Sequence, residues 1–363
     1  MLVHVCCSVD SHYFLQELRK KYPNERLIGF FYNPNIHPKE EYDLRLFDVK
    51  KSCKKLGIDL LVGDYNVESW LERVRGLENA EEKGERCLVC FDDRLENSAI
   101  VAISLGESKL TTTLLTSPMK NINDLFNEGD KIAKKYDLEF IKLDARSNGG
   151  TQKQSQMAKD SNLYRQNYCG CKFALTKQRE RSSKITIELF EDIGEQILPS
   201  SPKDILQTFM ELERLESSDT HHILQKNSIN VYRLLNGMVS FENKVIASYI
   251  FTHSKSCKKL KSKEIRWHNI DFEDKKIPFG FSDNIAFLTI ESVNLALDSN
   301  YQNTIQMLYN PPKYKDELDF RNKLLGSESI KPLIVLDSKI ENNITLNIES
   351  IFQIVDNFEV IKL

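Results

Sequence analysis

The placement of the cysteines constrains this chain more than any other feature. Eight are present, and six of them fall in three tight groups: Cys6-Cys7, Cys87-Leu-Val-Cys90 and Cys169-Gly-Cys171. Cys53 and Cys257 stand alone, and a lone Cys is most often a small buried hydrophobe. Close pairs in a chain without a secretory start point to metal or redox chemistry rather than to structural disulfides. The opening run from Met1 to Cys6 lacks the basic stretch and long apolar core of a signal peptide. No apolar segment reaches the roughly 20 residues that a membrane-spanning helix needs. The expectation is a cytoplasmic protein with no membrane partner.

A length of 363 residues predicts two domains at roughly 150 residues each. Charge is balanced: residues 1–200 hold 30 basic and 31 acidic side chains, and residues 201–363 hold 20 and 22. Neither half is basic, so contact with nucleic acid must come from local patches.

Short apolar runs alternate with amphipathic ones along the first 185 residues. Strands are expected at Leu2–Cys6, Arg26–Asn33, Ile58–Val62, Thr111–Thr116 and Glu139–Leu143. Helices are expected at 11–21, from Pro38 to about Leu56, and at 67–75, Cys87–Leu105, 121–136, 151–163 and 172–181. This alternation predicts an α/β fold, Rossmann-like, with a mainly parallel doubly wound sheet. Pro199-Ser-Ser-Pro202 reads as a linker between domains at 1–198 and 203–363. The second is predicted to be α+β or mostly β, with a helix at 203–216 and strands at 229–235, 237–241, 244–251, 285–290 and 333–336.

Cys6 and Cys7 sit at the carboxyl end of the first predicted strand, the sheet edge where such folds bind ligands. Adjacent strand residues point to opposite faces, so both thiols reach one site only if the chain turns there. Ser8-Val9-Asp10-Ser11 reads as that turn, and Asp10 can return a carboxylate to the same place. Cys87 and Cys90, three apart, share a face at the start of a helix, where the helix end favours thiolates. Four thiolates suit zinc or an iron–sulfur centre equally, and a thioredoxin-like dithiol is a third reading of Cys87 and Cys90. Cys169-Gly170-Cys171 admits an easily reduced, strained disulfide, a metal contact, or two buried thiols. His4 reads as a core histidine, since it lies inside the first strand.

Taken together, several stretches resemble the QueH family of epoxyqueuosine reductases. They are His4-Val-Cys6-Cys7 with Asp10; Tyr32-Asn-Pro-Asn-Ile-His37-Pro38 with Glu41-Tyr42 and Arg45; Gly76-Leu-Glu78; and Arg86-Cys87-Leu-Val-Cys90-Phe-Asp-Asp-Arg94-Leu95. Thr111 to Pro118 with Lys120-Asn121, Tyr164-Arg165-Gln166 and Tyr168-Cys169-Gly170-Cys171 complete the set. The resemblance covers about residues 1–185 and implies an adenine-nucleotide α-hydrolase-like sheet. It implies a [4Fe-4S] cluster with an adjacent mononuclear iron, and Cys6, Cys7, Cys87, Cys90 and Asp10 as ligands. It also implies a redox pair at Cys169 and Cys171. One departure is plain: family members often carry Cys-Cys-Ala-Pro-Cys, and here Asp10 takes the last position, a hard oxygen ligand that suits iron.

The implied activity is reduction of epoxyqueuosine to queuosine at the wobble position of tRNA with a GUN anticodon, with electrons from a low-potential donor. A base in an anticodon loop is read by stacking and by hydrogen bonds. Tyr32, His37, Tyr42, Arg45, Arg94, Thr112, Lys120, Arg165 and Tyr168 are the expected substrate contacts. Asp10, Cys169 and Cys171 are the expected catalytic groups. Two rival readings are a zinc-binding RNA adaptor and another tRNA-modifying enzyme on a PP-loop-like fold. The latter needs a glycine-rich phosphate loop where this chain has Cys-Cys-Ser-Val-Asp-Ser. Residues 254–266, with Lys255, Lys258, Lys259, Lys261, Lys263 and Arg266, read either as a grip on tRNA backbone or as a solvated loop.

Overall fold

A computed structural model of the chain describes residues 1–363 apart from 185, 193, 195 and 219. The chain divides into two units, Met1–Phe190 and Glu191–Leu363.

In the first unit, β1 (Leu2–Val5) is the middle strand of five parallel ones. β2 (Ile28–Phe31) and β3 (Asp59–Val62) lie on one side of it, β4 (Lys109–Thr112) and β5 (Glu139–Phe140) on the other, giving the order β3-β2-β1-β4-β5. β1 and β2 are buried along their whole length, as suits parallel strands covered by helices on both faces. The helices are α1 (Ser8–Lys21), α2 (Lys39–Leu56), α3 (Val67–Arg73), α4 (Glu85–Ser104), α5 (Ile122–Tyr136), α6 (Gly150–Asp160) and α7 (Lys172–Arg181). The expected parallel α/β sheet is therefore found. The chain steps outward from β1 to β3 and returns to β4 on the far side of β1. Strand order thus reverses between β1 and β4, which opens a crevice at their carboxyl ends. Cys6 and Cys7 leave β1 at that crevice.

Three local expectations change. Ser8–Ser11 is not a turn but the first turn of α1, with Cys7 as its extended N-cap residue (φ −152°, ψ 164°). The strand expected over Thr111–Thr116 stops at Thr112. The Leu114 N–H donates to Thr112 Oγ1 at 3.2 Å, and Thr116 Oγ1 donates to the Thr113 carbonyl at 2.7 Å. Such local side-chain bonds compete with a strand ladder and fold Thr113–Thr116 into a 3₁₀ turn. Pro202, expected in a linker, is the first residue of α8 (Pro202–Ser217), where its fixed φ is favourable; Ser201 Oγ caps this helix, accepting from the Asp204 N–H at 3.2 Å.

The second unit holds two sheets. β6 (His222–Phe241), β7 (Lys244–Val245), β9 (Cys257–Lys261) and β14 (Ile344–Lys362) form one, in the order β7-β6-β14-β9. β8 (Ser248–Ile250), β10 (Arg266–Phe272), β11 (Lys275–Ser282), β12 (Ile285–Thr289) and β13 (Leu333–Leu336) form the other, in the order β10-β11-β12-β13-β8. Val239, Ile250, Phe287, Ile334, Ile344 and Leu346 make one apolar layer shared by both sheets. A second layer, with Phe251, Phe272, Leu288 and Val335, takes in Val293 of α9 (Ile290–Leu297), Met307 of α10 (Thr304–Tyr309) and Phe320 of α11 (Tyr314–Leu325). The α+β character expected of this half is found. The 20-residue β6 takes in the two short strands expected at 229–235 and 237–241, and the 19-residue β14 lies where no strand was expected.

Candidate active site

The crevice above β1 and β4 deepens into a cavity of about 340 Å³. Cys6, Asp10, Cys87, Cys90, Cys169 and Cys171 all line it. Each arrives from a different kind of local structure. Cys6 follows the last residue of β1. Asp10 is in the first turn of α1. Cys87 and Cys90 occupy the first two turns of α4, whose inward stripe continues through Phe91, Leu95 and Ala99. Cys169 and Cys171 sit on the loop that enters α7, with Cys171 as its N-cap residue. Cys7 lies just behind the wall, 1% exposed, with its sulfur accepting from Gln166 Nε2 at 2.9 Å.

Cationic side chains surround the thiols. The Arg94 guanidinium lines the cavity with Cys6 and Cys90, its charge acting on both thiols, and is itself held by Asn33, whose Nδ2 donates to the Val5 carbonyl at 2.9 Å. The Cys6 thiol is held well below the usual thiol value, first by its hydrogen bond with Cys7 and then, against burial, by the charges of Arg94 and Arg45. Burial pushes Cys90 up to about 11, and burial with the neighbouring Cys169 takes Cys171 up to about 12. Burial, followed by the charge on Cys6, lifts Asp10 to about 7, although Gln154 Nε2 donates to its Oδ1 at 2.7 Å. Lys120 is 8% exposed and lines the same cavity. Burial works against its ammonium, but Cys169, Cys87, Glu82 and Cys6 outweigh burial and keep it protonated.

The Cys169-Gly170-Cys171 loop is held by the core. Arg45 Nη2 donates to the Tyr168 carbonyl at 3.1 Å and Nη1 to the Cys169 carbonyl at 3.2 Å. The Gly170 carbonyl accepts from the His37 N–H at 2.8 Å. Gly170 has φ +101°, and a Cβ there would stand 2.8 Å from Ile36 Cγ1, so only glycine fits. Lys120 is positioned similarly: the Arg146 guanidinium donates to the carbonyls of Leu114, Leu115 and Lys120 at 3.1, 2.7 and 2.7 Å.

The expected substrate contacts separate into two groups. Arg45, Arg94, Lys120, Arg165 and Tyr168 line the cavity. Tyr32, His37, Tyr42 and Thr112 do not, and each is engaged elsewhere. Tyr32 stacks on Phe30, and Tyr42 packs between Phe31 and Tyr65. His37 places Nδ1 2.8 Å from the Asn35 carbonyl and its ring against Trp70. Thr112 Oγ1 lies 2.9 Å from Nδ1 of His4, a fully buried core histidine as expected. These four build the wall from behind. Arg45, although it lines the cavity, is 1% exposed, and its donors are taken up by the protein. Trp70, Glu82, Met119, Gln154 and Gln166 also line the site. Gln166 lies in a stretch that carried the family resemblance but was given no role there; sequence reasoning passed over the other four because no spacing or motif marks a single polar or apolar residue of this kind.

Among the described residues, no three His, Cys, Asp or Glu side chains form a ready-made site for a single metal ion. An iron–sulfur cluster is larger than an ion and is held by thiolates spread around it. The donor set fits such a group: five thiols and a carboxylate face one enclosed space, with Arg94, Arg86 and Lys120 beside them to balance thiolate charge. Buried polar atoms are left over at the same place. The Trp70 indole nitrogen faces the Cys90 thiol without a hydrogen bond of ordinary geometry, and Gln166 Oε1 and Arg86 Nη2 have no partner.

The chain is also similar to known proteins. Residues 1–177 match the family model described as "Epoxyqueuosine reductase QueH". A protein of that name from Helicobacter pylori is 42% identical over 364 aligned positions, covering 97% of this chain and 98% of the relative. One from Thermotoga maritima is 34% identical over 189 positions, covering 51% of this chain and 95% of the relative.

Proposed function

The chain belongs to the epoxyqueuosine reductase QueH family, and on that premise we propose that it removes the epoxide oxygen of epoxyqueuosine in tRNA, the last step of queuosine biosynthesis. The observation that carries this reading is the convergence of Cys6, Cys87, Cys90, Cys169, Cys171 and Asp10 on one cavity at the reversal of strand order. Cys6, Cys87 and Cys90 on the cavity wall, with Cys7 directly behind it, are the residues that would hold a [4Fe-4S] cluster, and Asp10 is the hard ligand suited to an adjacent iron. Bound there, such a group would supply electrons singly and Lewis acidity toward the epoxide oxygen.

The chain's own residues do the rest. Turning an epoxide into an alkene takes two electrons and two protons and releases the oxygen as water. A low-potential donor is the electron source in this reading. The Lys120 ammonium, held protonated and aimed into the cavity, would hydrogen-bond the departing oxygen and offset its developing charge. Arg165 is exposed at the cavity mouth, where its cation would meet the anticodon-loop backbone. Tyr168 and Trp70 are the rings on the wall against which the modified base would lie. The Arg45 clamp would keep Cys169 and Cys171 facing the substrate as a redox pair. No described helix is long and apolar enough to cross a membrane, and a cytoplasmic location alongside tRNA fits this activity.

Anaerobic incubation of the reconstituted protein with epoxyqueuosine-containing tRNA and a strong reductant tests the reading. Nucleoside analysis should show queuosine forming at the expense of the epoxide. Epoxide left intact by an iron-loaded protein would remove it.

A further inference from the structure

The second unit lies beyond the family match, which ends at residue 177. Its most distinctive surface is the stretch from Lys255 to Arg266. Of the 20 basic and 22 acidic residues in 201–363, six of the basic ones but only one acid, Glu264, fall in these twelve positions. The stretch is not the loop that a charge run suggests. β9 pairs with β14, and the pairing carries a bulge: the steps from Cys257 to Leu260 oppose the shorter span from Ile348 to Leu346. Lys259 takes φ +47° there, and its N–H donates to Asn347 Oδ1 at 2.9 Å. A bulge breaks strict alternation. Lys258 and Lys259 are consequently both exposed, while Cys257 and Leu260 on either side pack against the apolar layer.

The link from β9 to β10 is equally fixed. Ser262 and Ile265 are buried, the Ser262 N–H donates to the Ile344 carbonyl at 2.8 Å, and the Ile265 N–H donates to the Glu341 carbonyl at 2.6 Å. Lys261, Lys263 and Arg266 are left exposed. Elsewhere in this unit Lys226, Lys275, Lys323 and Lys362 each meet a carboxylate, while others among the described residues, Lys276, Lys313 and Lys315 included, do not but form no comparable row. Among the described residues, none of the five lysines in this stretch meets a carboxylate; its one ion pair is Arg266 with Glu264 at 3.5 Å. Lysine on an edge strand also guards against sheet-to-sheet association, and β9 and β10 are both edge strands. Guarding an edge does not need a cationic row that runs on through the link between two sheets.

We propose that this row is a docking surface for RNA backbone phosphates, a role that rests on the tRNA-directed function above. A row of unpaired cations on rigid backbone matches a phosphate chain, and each contact releases counterions. The two rings that follow the row, Trp267 and His268, each have a partner within the second unit. The Trp267 indole N–H donates to the Ile340 carbonyl at 2.8 Å, and the His268 ring lies edge-on to Phe279. Lysine contacts to phosphate are sequence-independent and read no bases.

The test compares full-length iron-loaded wild type with Lys258→Glu/Lys259→Glu/Lys261→Glu, after circular dichroism confirms the fold. A Lys→Gln version of the same triple gives a milder change should the Glu version misfold. A control carries the same charge change at the exposed Lys276, Lys313 and Lys315. The Glu triple should bind tRNA about tenfold or more weakly near 0.1 M salt and flatten the salt slope by about two to three units. It should raise KM for tRNA with kcat within about twofold of wild type, and the control should behave as wild type. Unchanged affinity and slope, an equal loss in the control, or new self-association with unaltered RNA binding would overturn the surface. Wild type that binds tRNA through these lysines but leaves the epoxide intact would instead sink only the catalytic reading.

Discussion

Arg45 lies one turn after Glu41 on α2, and the two form an ion pair closed to solvent: each side chain is 1% exposed, and Nε stands 2.7 Å from Glu41 Oε1. The same guanidinium reaches the carbonyls of Tyr168 and Cys169, so one buried charge ties α2 to the Cys169–Cys171 loop. Removing one partner of a buried pair strands the other charge. Arg45→Ala should therefore cost about 3–5 kcal/mol in chemical denaturation. Arg45→Lys keeps the charge but lacks the planar fork, so it should retain more stability while exposing Cys169 and Cys171 to faster alkylation. Gly170→Ala should loosen the same loop. An Arg45→Ala variant as stable as wild type would show that the clamp is not needed.

Lys120 gives a catalytic prediction. A positioned cation at a developing negative charge is typically worth a factor of about 10²–10³ in kcat. Lys120→Met should lose activity on that scale while iron and sulfide content stay at wild-type levels. Arg146→Ala, which frees the loop carrying Lys120, should lose less, in the same direction. Single-turnover rates decide it, and an unchanged rate in Lys120→Met would exclude the role.

Asp48 gives a pH dependence. It is buried behind the site, accepting from Ser8 Oγ and from the Tyr164 N–H, the latter at 2.8 Å. Burial pushes its carboxyl from the ordinary 3.8 up to about 6. Because the folded value is the higher one, the folded protein keeps a proton that the unfolded chain gives up. The resulting stabilisation is complete below the unfolded value and disappears as pH rises through about 6. Asp48→Asn has no such proton to lose. Between about pH 5 and 7.5, relative stability should shift in favour of the variant by about 1.4 kcal/mol. Paired thermal unfolding at both pH values measures the shift, and a gap that does not move would contradict it.

Much of the site could be read from the chain because its parts are local. A strand ending in Cys6-Cys7 and a helix opening with Cys87 and Cys90 define positions before any packing is known. The glycine in Cys169-Gly170-Cys171 likewise announces a turn that other residues cannot make. What a motif cannot say is which way its residues face. Tyr32, His37, Tyr42 and Thr112 share stretches with cavity residues yet point into the core. Arg146, Gln154 and Gln166 act through long-range bonds that leave no periodic trace.

The second unit was harder for a similar reason. β14 begins with buried Ile344, Leu346 and Ile348, but the bulge at Glu349/Ser350 reverses the phase, leaving Phe352 and Ile354 exposed. The apolar residues after it fall on both parities, and the alternation that marks a strand is lost. In β9, the bulge at Lys259 makes a packed strand look like a solvated charge run.

The account depends on two cysteine pairs, remote in sequence, gripping one iron-containing group at the edge of the sheet. Iron and acid-labile sulfide should be measured after anaerobic reconstitution of wild type, Cys6→Ser, Cys87→Ser and Cys53→Ser, with epoxide reduction followed in the same samples. Wild type and Cys53→Ser should carry the cluster and turn over, while Cys6→Ser and Cys87→Ser lose both. Retention of iron, sulfide and turnover when Cys6 or Cys87 is replaced would contradict the shared centre directly.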